Sequence, residues 1–125
     1  MKLVIIESPF AAGRGLRGVI GRWLNKRYAR ACMRDSLMRG ESPLASHLLL
    51  TQRGILNDQD PAERKIGIEA GLAWGWLADA TVVYTDRGIS SGMNQGILRA
   101  QAEGRPVEYR SLFGGTAQRP AGKRG

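Results

Sequence analysis

The chain alternates short apolar runs with longer segments in which apolar residues recur every three or four positions. The short runs at residues 2–6, 42–50, 81–85 and 106–110 predict β-strands, and the first is continuous enough to be buried on both faces. Three segments with helical spacing lie between them. The order β-α-β-α-β-α-β predicts one α/β domain with a mostly parallel sheet of four or five strands, wrapped by helices.

The first helix is predicted to begin at about residue 22 and to stop before Gly40. The residues at helical spacing along it are Trp23 or Leu24, Tyr28, Ala31 or Cys32, and Asp35. The preceding residues 11–21 are rich in glycine and arginine and are expected to form a loop. Cys32 is the only cysteine, and its place on the apolar side predicts a thiol buried in the core.

The second helix has a strong start signal, in which Asp60 precedes Pro61 and is followed three residues later by Glu63. It is predicted to run to about Leu77. An apolar stripe along it is predicted to pack on the sheet; its members are Ile66, Ala70, Ala73, Trp74 and Leu77. The third helix is predicted to follow the turn after the third strand and to end at Gly104.

The length and the charge of the chain bear on its number of domains, its location and its partners. A chain of 125 residues is the size of one domain. Neither a membrane span nor a signal peptide is expected, because the first apolar run is short and ends at Glu7, so the expected location is cytoplasmic. The net charge is +8, and residues 1–39 hold nine of the 19 basic residues but two of the 11 acidic ones. Residues 14–39 and the basic C-terminal tail make nucleic acid a candidate partner, with solvated helix faces as the alternative.

Three loops are expected to share one edge of the sheet, because parallel sheets bind ligands beyond the carboxyl ends of their strands, where the strand order reverses. The first loop carries Arg14 and Arg17, which are candidates for a basic wall over a pocket or for a solvated loop. Its glycines match neither a phosphate-binding loop nor a dinucleotide fingerprint. The second loop contains His47, a candidate ligand contact or a packed histidine. A lone histidine predicts no metal site.

The third loop, residues 86–93, carries the most informative signal. Ser90, Ser91 and Gly92 precede a predicted helix, whose first N–H groups lack partners and whose dipole favours an anion. A phosphate held there is one interpretation, and a serine N-cap is the other. Asp86 closes the preceding strand and is a candidate for activating water, with a turn-capping role as the alternative.

Seven short motifs, considered together, resemble the nucleoside 2-deoxyribosyltransferase-like superfamily. The resemblance covers residues 2–112 and is closest to the small, largely uncharacterised branch common in bacteriophage genomes. It implies a Rossmann-like three-layer sandwich over residues 1–112, and the Gly/Pro/Arg-rich residues 113–125 are expected to be a disordered tail. The motifs are SPF, YARAC, SPLASHLLL, GIEAGLAW, YTD, GISSGM and GRPVEYR.

The same resemblance implies a nucleoside or nucleotide ligand and, in catalytic members, cleavage of its N-glycosidic bond by a glutamate on the helix after the GISSGM-like loop. In this sequence that position falls on Gly96, which has no nucleophilic side chain. The catalytic candidates are therefore Asp86, with Glu69 or Glu7 as a second carboxylate. Further candidate ligand contacts are Glu7, Ser8, Met93 and Asn94.

These interpretations predict three alternative functions. The first is a nucleoside- or nucleotide-binding enzyme that cleaves or transfers at an N-glycosidic bond. The second is a binder without catalysis that senses or sequesters a nucleotide-derived signal, and the third is a nucleic-acid-binding interaction protein. No cofactor is expected. The resemblance also implies a homo-oligomer with the helix of Glu69 at the interface. Trp74 and Trp76 are candidate anchors there, with core packing as the alternative for at least one of them.

Overall fold

The structure is a computed structural model that describes residues 1–113. At the centre of these residues is a sheet of four strands, all parallel, in the order β2-β1-β3-β4. Helices flank both faces, so the predicted three-layer α/β fold is confirmed. The elements, in chain order, are β1 (Leu3–Glu7), α1 (Gly15–Met38), β2 (Ser42–Leu44), α2 (Ser46–Leu49), α3 (Pro61–Trp74), a short 3-10 turn (Gly75–Leu77), β3 (Ala80–Tyr84), α4 (Ser91–Ala102) and β4 (Val107–Arg110).

The two faces of the sheet carry different helices. Val82 packs with Tyr28 and Cys32 of α1, whereas the next residue, Val83, packs with Met93 of α4. Right-handed crossovers place α3 on the same face as α4, because β2 lies on one side of β1 and β3 lies on the other. The direction of connection therefore reverses between β1 and β3, which makes this the switch point of the sheet.

Helix α1 begins seven residues earlier than the glycine pattern predicted, at Gly15. The expected loop over 11–21 is therefore wrong for most of its length. Gly18 lies so close to the preceding turn that an added Cβ would be 1.7 Å from the carbonyl oxygen of Gly13, so a glycine here allows the helix to start. Tyr28 and Cys32 are buried as predicted, whereas Trp23 is exposed, because it lies outside the inward face that carries Asn25, Tyr28, Ala29, Cys32 and Ser36.

The second strand is shorter than predicted. The expected strand over 42–50 is wrong beyond Leu44, because residues 46–49 form the short helix α2. Periodicity alone does not distinguish a buried strand from a buried helical turn in a short apolar run. Here Leu48 packs against the core on the α1 face, and the helical turn places His47 at the edge of the sheet.

Helix α3 presents the opposite face to the one predicted. The apolar stripe expected to pack on the sheet is exposed, with Trp74 52% and Leu77 65% accessible. The inward face instead carries small residues, and α3 packs chiefly on α2. A Cβ added at Gly71 would be 2.3 Å from the Oγ of Ser46. This close approach holds α3 beside α2 and leaves a space between α3 and α4.

A buried ionic network lies on the α1 face. The guanidinium of Arg110 donates to both carboxylate oxygens of Glu41, at 2.8 and 2.6 Å. Ser36 of α1 donates to the same carboxylate at 2.7 Å, and the hydroxyl of Tyr84 donates to Asp35 at 2.7 Å. These bonds connect α1, β3 and β4, and they satisfy the polar groups that this face buries.

Two predictions concern the ends of the chain and the membrane. The predicted tail at 113–125 lies, apart from Phe113, outside the described residues. Within residues 1–113, none of the helices combines the length and the apolar character that crossing a bilayer requires.

Candidate functional site

A cleft of about 210 Å³ opens on the α3/α4 face, beyond the carboxyl end of β1. Its walls come from the end of β1, from α2, from the inward face of α3 and from the first turns of α4. The position agrees with the switch point of the sheet, where the sequence predicted a ligand.

The carboxyl group of Glu7 lies inside this cleft against Gly96 of α4. A Cβ added at Gly96 would be 2.0 Å from the Oε2 atom of Glu7 and 2.5 Å from its Cδ atom. Among residues 1–113, the Glu7 carboxyl makes no hydrogen bond and no ion pair. Its oxygens keep access to the cleft, since none of the fully buried side-chain oxygens of residues 1–113 lacks a partner. Burial raises the pKa of Glu7 to about 8, although the charge of Arg105 acts in the opposite direction. At neutral pH the free protein therefore holds this carboxyl mostly protonated.

Ser8 and His47 form a hydrogen-bonded pair next to Glu7. The Oγ atom of Ser8 lies 2.8 Å from the Nε2 atom of His47, and the ring of Phe10 packs edge-on against the imidazole with centroids 5.3 Å apart. Burial lowers the pKa of His47 to about 4. The imidazole is therefore neutral at physiological pH, and the pair presents a hydroxyl of fixed orientation to the cleft.

The first turn of α4 forms the facing wall. Ser90 is the N-cap, and its hydroxyl accepts a hydrogen bond from the Met93 amide at 3.3 Å. The amides of Ser91 and Gly92 donate to no acceptor within residues 1–113, as expected for the first positions of a helix. The N-cap interpretation therefore holds for Ser90. Ser91 and Gly92 keep free amide donors at the positive end of the helix dipole, and a phosphate at this position stays a prediction.

Two arginines line the cleft, and they differ in whether their guanidinium groups have hydrogen-bond partners. Arg105 is held by three partners, since it donates to Thr81 Oγ1, to the Gly75 carbonyl and to Glu103. The guanidinium of Arg64, in the first turn of α3, makes no hydrogen bond or ion pair within residues 1–113. Arg105 is therefore structural, whereas Arg64 retains its donors for a ligand.

The predicted site residues divide into two groups. The structure places seven of them in the wall of the cleft: Glu7, Ser8, His47, Ser90, Ser91, Gly92 and Met93. Five others lie outside it: Arg14, Arg17, Glu69, Asp86 and Asn94. Glu69 is exposed on α3, and Arg14 and Arg17 are exposed at the start of α1. The predicted carboxylate pair, Asp86 and Glu69, is thus not brought together.

Asp86 is engaged on the α1 face by four donors. Its carboxylate accepts from the hydroxyl of Tyr28 at 2.6 Å and from the hydroxyl of Ser111. It also accepts from the amides of Leu112, at 3.0 Å, and Phe113, at 3.4 Å. Burial opposes ionisation, but these hydrogen bonds outweigh it and lower the pKa of Asp86. Such a carboxylate fixes the chain after β4 to the end of β3, which agrees with the turn-capping alternative.

Sequence reasoning missed several residues of the cleft, chiefly on α3. Arg64, Ile68 and Leu72 line it, and they share their side of the helix with the small residues Gly71 and Gly75. Glycines spaced four apart on a helix allow another element to approach closely, and this spacing was the available signal. The apolar stripe that predicts the opposite face lies on the exposed side of α3.

A metal centre finds no support in the described part of the chain. Within residues 1–113, no group of three or more His, Cys, Asp and Glu side chains is placed to hold a metal ion. The polar groups of the cleft are instead a carboxyl, hydroxyls, amides and a guanidinium, which suit a polar organic ligand or an anion.

The fold has a relative among solved structures. The fold is similar to a solved structure described as a 2-deoxyribosyltransferase from the psychrotolerant bacterium Bacillus psychrosaccharolyticus, with a TM-score of 0.59 and 16% sequence identity. The match covers 93% of this chain and 77% of that chain. It confirms the predicted relationship at the level of the fold, and the phage-type branch stays a prediction.

Sequence comparisons give a family but no described activity. No curated protein matches the chain at a significant level. A family profile matches residues 2–110, which is most of the described structure. The chain therefore belongs to the family described as a domain of unknown function, DUF7768.

Proposed function

We propose that this protein binds a nucleoside or nucleotide in the cleft and cleaves its N-glycosidic bond. The observation that carries the proposal is the unpartnered carboxyl of Glu7, which lies in the cleft at the switch point of a fold shared with a 2-deoxyribosyltransferase. A carboxyl group beside a sugar is the chemistry by which proteins stabilise an oxocarbenium-like centre.

The two sides of the cleft suit the two parts of such a ligand. Phe10, Ile68 and Leu72 supply apolar surface that suits the flat faces of a base. The free amides of Ser91 and Gly92 suit the oxygen atoms of a sugar or a phosphate. Glu7 and Ser8 lie at the end of β1, and a ligand that spans both sides brings its glycosidic bond close to them.

A second candidate is a binder that releases its ligand intact. The engagement of Asp86 by four donors favours it, since the predicted water-activating carboxylate is not in the cleft. A protonated Glu7 in this case donates a hydrogen bond to the ligand. The binder and the enzyme use the same cleft and differ in whether the base is released.

One experiment separates these functions. The protein is incubated with the 2′-deoxynucleosides, the ribonucleosides and the 5′-monophosphates of both, and thermal shift and free-base release are measured for each compound. Base release above the no-protein control supports the enzyme. A thermal shift with fully recovered ligand supports the binder, and neither response from any compound contradicts the proposal.

A pair of variants on α4 shows whether the cleft is responsible. Gly92→Leu adds a side chain where the nearest atom to a new Cβ is the Ser90 Oγ at 3.9 Å, so it fills the cleft without displacing the backbone. Gln101→Leu places the same side chain on an exposed position of α4, outside the cleft. We expect Gly92→Leu to abolish the response and Gln101→Leu to leave it unchanged.

A further inference from the structure

The carboxyl groups of the described chain differ in whether they are free to react. Asp86 is held by four donors, and Glu41 is held by Arg110 and Ser36. Glu103 pairs with Arg99 and Arg105 at the rim of α4. Two carboxyl groups line the cleft, those of Glu7 and Asp58.

Asp58 belongs to the loop before α3, and three cations act on it. The charges of Arg64, Arg22 and Lys26 lower its pKa, although burial outweighs them and raises it overall. Glu7, in contrast, extends from the last residue of β1, and its position is fixed by the sheet, since Glu7 pairs with Val83 of β3. A reacting group on a rigid strand is held in place more precisely than one on a loop.

Gly96 defines the place of the Glu7 carboxyl. Any side chain at position 96 starts with a Cβ that overlaps the Oε2 atom of Glu7 at 2.0 Å. The Glu7 carboxyl, which comes from β1, therefore occupies the space that a side chain at position 96 of α4 would take. Gly96 lies one helical turn after Gly92, and both line the cleft. The Glu7 carboxyl is therefore on the same side of α4 as the free amides of Ser91 and Gly92.

We infer that Glu7 is the nucleophile of this site, acting from β1 through the space that Gly96 leaves. The inference rests on the proposed function. In the first step a carboxylate oxygen of Glu7 bonds to C1′ while the C1′–N bond breaks. Its electron pair leaves with the base, which takes a proton from water. In the second step water attacks C1′, the ester bond returns its electron pair to Glu7, and the proton of water goes to solvent.

The charges around Glu7 set how this reaction depends on pH. Arg105 faces it from the segment after α4, Arg64 from α3, His47 from α2 and Asp58 from the loop before α3. His47 is neutral, and Arg105 is already paired with Glu103. Since only the ionised carboxylate attacks, kcat/KM is expected to rise roughly tenfold per pH unit and to level off near pH 8.

The decisive experiment traps the covalent intermediate. The compound cleaved in the panel above is prepared as its 2′-deoxy-2′-fluoro-arabinosyl analogue, which slows the second step because fluorine disfavours positive charge at C1′. Intact mass spectrometry is expected to show the protein plus one fluorinated sugar, and peptide mapping is expected to place the sugar on Glu7. An adduct on another residue overturns the inference, as does turnover of the parent compound without any adduct.

Variants at the two positions give an independent result. Glu7→Gln is nearly isosteric and is expected to lower base release by about 10³-fold or more. Gly96→Ala inserts a methyl group where the end of a flexible side chain lies, so the fold is retained while the carboxylate is displaced, and we expect a loss of about 10²-fold. Gly67→Ala is the matched control, because its new methyl group meets the flexible end of Leu56 and Gly67 does not line the cleft.

A reciprocal exchange completes the test. In Glu7→Gly/Gly96→Asp the carboxylate enters the same volume from α4, and base release is expected to recover roughly tenfold or more over Glu7→Gly alone. Full activity in Glu7→Gln overturns the nucleophile while leaving the proposed function standing. No base release by the folded wild-type protein from any compound overturns both.

Discussion

The two faces of the sheet bury polar groups in opposite ways. On the α1 face, Glu41 is satisfied by two bonds from Arg110 and one from Ser36. On the α3/α4 face, Glu7 has no partner within residues 1–113. Partnered burial fixes how the layers pack, whereas unpartnered burial costs stability and leaves a group whose protonation is poised to change.

The same residue type therefore titrates in opposite directions on the two faces. Hydrogen bonds from Arg110 outweigh burial and lower the pKa of Glu41 to about 2. Burial outweighs the charge of Arg105 and raises the pKa of Glu7 to about 8. The first carboxyl is charged throughout the physiological range, and the second changes its charge within it. The difference arises from the number of donors that each face supplies.

Breaking the ionic network is expected to have the largest effect on stability. Arg110→Met leaves the buried carboxylate of Glu41 without its bidentate partner, which costs about 3–5 kcal/mol of unfolding free energy. Glu108→Gln is the matched control, because Glu108 also pairs with Arg110 but its side chain is 38% exposed; its cost is about 1 kcal/mol or less. Urea unfolding at pH 7 measures both.

Equal effects from these two variants contradict the comparison. In that case the bond from Arg110 to the exposed carboxylate stabilises the protein as much as the buried pair does. The buried ion pair of the α1 face then contributes no more to stability than an ion pair at the surface.

Titrating Glu7 is expected to give the next largest effect. Its folded pKa lies above its ordinary value of 4.5, so its stabilising contribution is complete below pH 4.5 and is lost as pH rises toward about 8. Glu7→Gln does not titrate, and its stability relative to the wild type is expected to increase across this interval, by about 4 kcal/mol in total. Urea unfolding of both proteins between pH 4.5 and pH 9 measures the difference.

Glu41 provides the internal reference of opposite sign. Its folded pKa of about 2 lies below its ordinary value, so its contribution is present above pH 4.5 and is lost as pH falls toward 2. Both proteins keep Glu41 and share this acid limb. A Glu7→Gln protein whose stability runs parallel to the wild type from pH 4.5 to pH 9 shows that Glu7 is not desolvated.

The sequence predicted the layers of this fold better than the faces of its helices. Strand order along the chain, the Asp60–Pro61 start signal and the Ser90 cap depend on local spacing, and the structure places helix starts at both. The inward face of α3 depends instead on a contact between Gly71 and Ser46, which are 25 positions apart. A single sequence carries no direct signal for such a contact.

The candidate site shows the same division. The loops predicted to meet at the switch point do meet, because topology alone determines which strand ends share an edge. Topology does not determine which hydrogen-bond partners each carboxyl has. Asp86 lies at the end of β3 as expected, but its four donors include Ser111 and two amides beyond β4. The pairing of Glu7 with the space at Gly96 likewise joins positions 89 residues apart.

Replacing Asp86 is expected to have an intermediate effect on stability and little effect on the cleft. Asp86→Asn keeps the size of the side chain but weakens charge-assisted bonds from Tyr28 and Ser111, at a cost of about 1–2 kcal/mol. Base release per folded molecule is expected to stay within about twofold of wild type, because Asp86 does not line the cleft. Loss of base release at unchanged stability contradicts this assignment and supports the predicted catalytic role.

The smallest expected effect distinguishes the two serines at the start of α4. Ser90→Ala removes the oxygen that accepts from the Met93 amide and is expected to cost about 1 kcal/mol of unfolding free energy. Ser91→Ala removes an exposed hydroxyl that caps nothing within residues 1–113, and its stability is expected to change by less than about 0.5 kcal/mol. Thermal shift with the panel compounds then separates structure from binding, because Ser91→Ala is expected to weaken the ligand response through the lost hydroxyl. If Ser91→Ala destabilises the free protein as much as Ser90→Ala, both serines stabilise the start of α4. Glu7 is then the one difference between the α3/α4 face and the α1 face that these variants leave standing.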